Sequence, residues 1–514
     1  MRNTTRGFFV VLLTAWTVQG AVAQGGSQPS QGQASRAEPA PSGQNAAPAK
    51  NGSPAAAPTQ QGQAGLDTGQ PQETLMEIYQ RALQSDPTIR EAEANYQAAA
   101  EARPQARSRI LPSLTLSASK AGSYDTNPFG VALQNGFVYG TSSSSGNAQH
   151  GVSVTLSQTL FDWSKFTSLK QADKQVAQAQ ANYEAAKQDL MIRVATAYFG
   201  VLGAQDTLQA AIAARDSVSQ QLEQAQRRFD VGLIAITDVQ ESQAGYDAAV
   251  ADVLAAQQAL STAQESLREI IGTLVTNLAG PSQTLPLETP APANPNQWVE
   301  MALKQNLQLV SSRLGAAIAE DNITIQRAAR LPTLSLSTSY SKTVGTRTSS
   351  LNNVVDPVTG IVSNTVRANP SAPKGYSWEL DLQVPIFTGG ANGSRIRQAV
   401  YQQRAAQQQA EATARQTEQQ TRDAYLGVIS EISRVKALRQ SVESSQTALR
   451  AARAGFQVGT RTTVDVLTAE NNLQQQRTNY AQSRYNYILD ELKLKQAAGS
   501  LGVEDIQQVE TWLK

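Results

Sequence analysis

The stretch Phe229-Asp-Val-Gly-Leu-Ile-Ala-Ile-Thr-Asp-Val returns 227 residues later as Phe456-Gln-Val-Gly-Thr-Arg-Thr-Thr-Val-Asp-Val. In each copy a Val-Gly pair interrupts a long run of helix-forming residues, and Gly232 and Gly459 are placed to end a helix in the left-handed conformation. Thr237 and Thr463, or residues beside them, stand where a returning helix needs a cap. Asp238 and Asp465 then fall near the positive end of that helix, where a carboxylate is favoured. Each stretch reads as the tip of a helical hairpin.

Outward from the tips the duplication continues. Leu111-Pro-Ser-Leu-Thr-Leu-Ser matches Leu331-Pro-Thr-Leu-Ser-Leu-Ser, Ala197-Tyr-Phe-Gly-Val matches Ala424-Tyr-Leu-Gly-Val, and Gly272 matches Gly499. Two copies of a unit of roughly 200 residues make an internally duplicated chain. Each unit reads helix, strand, loop, strand, long helix, tight turn, helix. In the first, Asp86 and Pro87 suit N-cap and N1 of a helix that runs to about Ile110, with a kink available at Pro104.

The hydrophobic period then changes from 3.6 to 2. Leu114, Leu116 and Ala118 alternate with small polar residues, as do Val152, Val154 and Leu156. In the second unit Leu334, Leu336, Thr338 and Tyr340 share one face, and Trp378, Leu380, Leu382 and Val384 share another. Strands are expected at about 113–124, 149–160, 332–344 and 375–386, each apolar on one face. Soluble hairpins with one wet face and the wall of a membrane barrel both fit this alternation. A membrane strand needs about 9–11 residues, but four strands are too few to close a barrel, so a barrel requires several chains. Long helices follow at about 164–229 and 392–456, roughly 65 residues or 100 Å each. Their apolar positions (Ala172, Val176, Ala179, Tyr183, Ala186, Leu190) are small and sparse, so they need partners along their whole length.

Composition removes other classes. The 514 residues hold 43 Lys+Arg against 42 Asp+Glu, which leaves no basic excess for nucleic acid. With no cysteine and one histidine, His150, thiol chemistry and multi-histidine metal sites are excluded, and no cofactor is expected. His150 reads as incidental, at a strand start beside a loop. No nucleophile–base set or Gly-rich phosphate loop is present, so an enzyme is not expected. Residues 1–23 read as a signal peptide: Arg2 and Arg6, an apolar stretch, then Ala21-Val22-Ala23. Residues 24–71 are rich in Ala, Gly, Pro, Gln and Ser and read as a disordered tether. The first repeat spans 72–280, a Pro-rich linker 281–297, the second repeat 298–505 and a tail 506–514, with return helices at about 236–271 and 463–498.

An exported, duplicated chain with two strand pairs, two very long helices and these Val-Gly turns resembles the TolC family of outer-membrane channel-tunnels. The resemblance covers about 72–505 and is carried most closely by Gly459-Thr-Arg-Thr-Thr-Val-Asp-Val-Leu and by Ala481 to Leu494. It implies a mixed α and β membrane protein. Three chains, four strands each, would form one twelve-stranded transmembrane β-barrel, continued by a long periplasmic α-helical barrel. It implies an exit duct of a tripartite efflux pump or type I secretion system, served by a periplasmic adaptor and an inner-membrane pump of RND or ABC type. Outer-membrane lipid would be its surroundings.

The resemblance also implies roles at the tips. Val231, Gly232, Leu233, Val458, Gly459 and Thr460 match adaptor-docking turns. Asp238 and Arg461 match a pair that ties a movable coil to its neighbours, with Ile234 in the copy-one place of Arg461. Asp465 matches a ring of carboxylates at the constriction. Phe456 and Thr468 stand where a close family member has a tyrosine and a second aspartate, so a hydrogen bond to Thr237 and one acidic ring are expected to be missing, with a looser gate. A trimeric coiled-coil stalk of the cell envelope is the alternative, and a periplasmic adaptor a third reading. Duplicated hairpins argue against the former, two helical hairpins against the latter.

Overall fold

The computed structural model describes residues 72–134, 137–280, 285–355 and 362–513, all within one unit, Gly69–Lys514. The leader expected at 1–23, the tether at 24–71 and the start of the 281–297 linker lie outside the described residues. The elements are α1 Leu75–Ser85, α2 Pro87–Ala100, α3 Ala102–Ser108, β1 Ser113–Gln134, β2 Phe137–Phe161, α4 Trp163–Asp230 and α5 Ile236–Ile271. The second half holds α6 Pro295–Gln305, α7 Leu307–Ala328, β3 Thr333–Val355, β4 Val362–Ser371, β5 Lys374–Gln383, α8 Ala391–Gln457, α9 Thr463–Ala498 and α10 Val503–Glu510.

The helix expected to run to about Ile110, with a kink available at Pro104, is divided into α2 and α3. Asp86 caps α2, its carboxylate accepting from the Thr88 amide at 3.4 Å. Pro104 has no N–H to offer the carbonyl four residues back, and the chain breaks one turn earlier, at Glu101, before continuing as α3. Arg193 of α4 pairs with Asp86 at 2.5 Å and with Asp189 at 3.1 Å, which fixes this junction to the long helix. Burial works against the charged Asp86, but bonds from Thr88 and Arg193 prevail and hold its carboxyl below the usual range.

The sheet is antiparallel, in the order β1–β2–β3, with β4 and β5 lying end to end along β3. Pro373 falls in the gap between them, and its carbonyl accepts from the Thr343 amide at 2.9 Å. The sheet is thus four strand-widths across. Its strands are longer than expected: β1, β2 and β3 have 22, 25 and 23 residues. Alternation of apolar residues marks only their helix-proximal part. The Gly/Ser/Asn-rich stretch read as a loop pairs all the same, because the ladder is made by backbone groups. His150 consequently lies well inside β2, opposite Lys120 and Val344, not at a strand start.

One face of the sheet is apolar: Leu116 faces Val154, and Leu336 faces Leu380. The other carries hydroxyl ladders, with Ser117 to Ser153 at 2.7 Å and Ser339 to Ser377 at 2.8 Å. The core sits in the helices. Tyr198, Phe199, Leu190 and Val194 of α4 bury against Tyr485, Tyr487, Ile488 and Leu492 of α9, with α1, Trp298 of α6 and α10 packed around them. Tyr198 donates to the carbonyls of Ala279 at 2.7 Å and Glu73 at 3.2 Å. Lys495 pairs with Glu491 at 3.3 Å and Asp505 at 2.9 Å, which holds α10 on α9.

Candidate functional site

The long helices α4 and α8 each turn back through five residues, 231–235 and 458–462, and both turns close the same way. The Leu233 amide donates to the Arg228 carbonyl and the Gly232 amide to the Phe229 carbonyl, both at 2.8 Å. In the second turn Thr460 donates to Gly455 at 2.9 Å and Gly459 to Phe456 at 3.2 Å. This pattern requires positive φ at the central residue, and Gly232 and Gly459 have φ of 75° and 79°. Val231, Leu233 and Val458 are left at 69%, 73% and 76% exposure, so each tip presents apolar side chains to its surroundings.

The two tips differ at the start of the return helix. Thr462, not Thr463, caps α9: its hydroxyl accepts from the Asp465 amide at 3.2 Å, while Asp465 accepts from the Thr462 amide at 2.9 Å. Thr463 is buried instead, with its hydroxyl unpartnered. In the first tip α5 starts on Ala235 with no side-chain cap, and Thr237 is exposed. A Thr-x-x-Asp pattern at Thr462 to Asp465 was present in the sequence and marks the true cap. The bonds from Thr462 hold the Asp465 carboxyl below its ordinary range, and Arg461 adds to the effect.

Asp238 and Arg461 line one cavity of about 460 Å³ between the tips, together with Arg228, Leu233, Ile234 and Phe456. No ion pair joins them; the Arg461 guanidinium stands 3.7 Å from Asp465 within its own tip. Thr468 lies apart from this cavity, in a groove between α8 and α9 that Arg461 and Asp465 also line. The tips are joined by Phe456, which sequence reasoning named, and by Arg228, Arg453, Glu470 and Ser217, which it missed. Arg228 of α4 lays its guanidinium 4.9 Å from the centre of the Phe456 ring on α8. Arg453 of α8 pairs with buried Glu470 of α9 at 2.7 Å and also donates to Ser217 of α4. These partners stand 17 and 236 residues from Arg453, and no local pattern announces such pairs.

Among the described residues no group of acidic, histidine or cysteine side chains has the arrangement of a metal site. No described helix is long and apolar enough to cross a membrane. The chemistry on offer at the tips is that of contact and charge, with apolar turns outside, arginine–carboxylate pairs within the second coil, and the Arg228–Phe456 and Arg453–Ser217 contacts between the coils.

The family model described as outer membrane efflux protein matches the chain twice, over residues 78–273 and 298–500. The outer membrane protein TolC of Vibrio cholerae is 35% identical over 444 residues, which are 86% of this chain and 94% of that protein. The alkaline protease secretion protein AprF of Pseudomonas aeruginosa is 26% identical over 439 residues, 85% of this chain and 86% of that one. The solved CmeC outer membrane channel of Campylobacter jejuni has the same fold, with a TM-score of 0.65 at 17% identity, over 86% of this chain and 90% of that one. Tips, sheet and sequence thus converge, and the chain belongs to the outer membrane efflux protein family.

Proposed function

We propose that three copies of the chain form an outer-membrane duct that carries small molecules or proteins out of the cell in an efflux pump or type I secretion system. The observation that carries this reading is a sheet of four strand-widths, apolar on one face, joined to two helical hairpins whose long arms have 68 and 67 residues. Among the described residues such a sheet leaves its β1 edge and its β4–β5 edge without partners. Backbone groups at the edge of a membrane-embedded sheet must be paired, and joining edge to edge in a ring pairs them. Three copies give a twelve-stranded barrel, within the known range of such barrels. Its lipid side is the face bearing Leu114, Leu116, Trp378, Leu380 and Leu382, which are 54–78% exposed in the single chain. The small residues of α4 and α8 suit the same assembly, since they allow close approach of many helices.

At the far end, the apolar turns Val231-Gly232-Leu233 and Val458-Gly459-Thr460 are the docking points of a periplasmic adaptor, which links the duct to an inner-membrane pump of RND or ABC type. Asp238, Thr237, Arg461, Asp465, Phe456 and Thr468 form the gate region. The second coil moves against the first, and Arg461 restrains it through the acidic groups near the tip. The duct itself conducts passively and catalyses no reaction.

Single-channel conductance in a planar bilayer tests the reading, wild type beside Arg461→Ala. Small wild-type steps that enlarge in the variant are expected. Failure of folded protein to insert would overturn the duct, and large steps from both would remove Arg461 as the restraint.

A further inference from the structure

The register of the sheet gathers the basic residues of its apolar face into one belt. On that face Leu334, Leu336 and Tyr340 of β3 stand opposite Leu382, Leu380 and Tyr376 of β5. Leu114 and Leu116 of β1 stand opposite Leu156 and Val154 of β2. Moving away from the helices, the aromatic pair Tyr340–Tyr376, with ring centres 4.8 Å apart, ends this band. The next pair on the same face is Lys342 opposite Lys374. Two residues further along the strands, Lys120 is opposite His150. All four side chains are exposed. Strands about 4.8 Å apart and a rise of about 3.3 Å per residue place them in a patch roughly 15 Å across.

Among the described residues of the sheet no carboxylate shares this face. Like charges directly opposite one another destabilise an antiparallel pair. The lysines that do form ion pairs among the described residues belong to helices or their caps. The sheet's described carboxylates, Asp125, Glu379 and Asp381, alternate onto the opposite face, where Arg347 and Arg367 also fall. In these two rows the charged side chains are all basic, with Ala118, Val152 and Val344 between them. Basic side chains directly beyond an aromatic pair at the edge of a leucine-rich band are where a membrane protein meets lipid headgroups.

We propose that Lys120, His150, Lys342 and Lys374 form an anion-binding belt that holds phosphate-bearing lipid headgroups of the outer leaflet against the sheet. The inference rests on the reading of the apolar face as lipid-facing. Bound phosphate relieves the repulsion between Lys342 and Lys374, so lipid of this class stabilises the folded sheet.

The test uses the full chain in neutral detergent and measures its melting temperature with three additions: lipid A, the same lipid without its phosphates, and inorganic phosphate. Lipid A is expected to raise the melting temperature of the wild type and to leave that of the Lys342→Gln/Lys374→Gln double variant unchanged. An equal rise in both proteins, or an equal rise with dephosphorylated lipid, would overturn the proposal. A rise with inorganic phosphate alone would overturn the lipid as occupant. Should the double variant not fold, phosphorus retained per protein after purification is compared between wild type and Lys120→Gln, and equal retention counts against the belt. Quenching of Trp378 by brominated acyl chains, with Trp378→Phe as the blank, separates the two levels. Absence of quenching sinks the lipid-facing reading and the belt with it, whereas quenching without a lipid A effect sinks the belt alone.

Discussion

Asp465 shows how one side chain is given two tasks at a helix start. Its carboxylate closes the capping box with Thr462 and faces Arg461, and in a threefold assembly it would repeat as a ring. Removing it by Asp465→Ala is expected to abolish block of the open channel by multivalent cations, read as conductance against added cation; undiminished block would refute the ring. The cap itself gives a pH dependence. A carboxyl held below its ordinary value stabilises the fold above the unfolded value of about 4, and that stabilisation is lost as pH falls through the lower folded value. Amide exchange in the first turn of α9 should therefore accelerate below that range in the wild type. In Thr462→Ala the turn should be loosened by about 1 kcal/mol at neutral pH and respond less to acid. An unchanged exchange rate in the variant would show that the cap is idle.

At the scale of elements, α4 is held by a few large side chains in its middle and by polar contacts elsewhere. Tyr198 is fully buried and donates to carbonyls on both sides of the Glu73–Leu278 bridge. Burial pushes its hydroxyl far above the ordinary range, so it remains a donor at every working pH. Tyr198→Phe leaves the ring in place but strands the buried Ala279 carbonyl, while the Glu73 carbonyl keeps the Ala279 amide as a donor, at a cost of about 1–3 kcal/mol. A clear fall in melting temperature is expected, and none at all would mean that the bonds are replaced. The same element scale shows where local patterns are sufficient and where they fail. Asp86 followed by Pro87 is enough to start α2, and a Val-Gly pair is enough to reverse α4 and α8, because those choices rest on adjacent residues. The length of β1 to β3 was not legible, since strands of Ser, Gly and Asn pair only when another strand is already beside them. Nor was the Arg228–Phe456 contact, which exists only once the two coils lie together.

At the scale of the whole molecule, the unpaired sheet edges and the thin helical core make the single chain an incomplete object. The detergent-solubilised protein is expected to have the mass of three chains of 54.9 kDa, less any leader removed on export, measured by light scattering with the detergent subtracted. A monomer with intact secondary structure would refute edge-to-edge closure. The asymmetry between coils also belongs to this scale. Ile234 in one tip corresponds to Arg461 in the other, and only the second coil carries the Arg453–Glu470 pair and the Thr462 cap. The two tips thus carry different polar linkages, as the proposed static and moving halves would require.

The sequence by itself determined the two long helices, their reversals, the apolar face of each strand and the family, because those depend on residue type and on spacing along the chain. The tertiary structure alone decided that β2 pairs with β3 across the two repeats, that Arg461 faces Asp465 while Asp238 lines the same cavity without pairing, and that three lysines and a histidine meet on one face. Arg461 and Asp465 apart, which are four residues from each other, these are contacts between residues remote in the chain. Their energies appear only after the backbone has brought the partners together, so no local pattern can carry them.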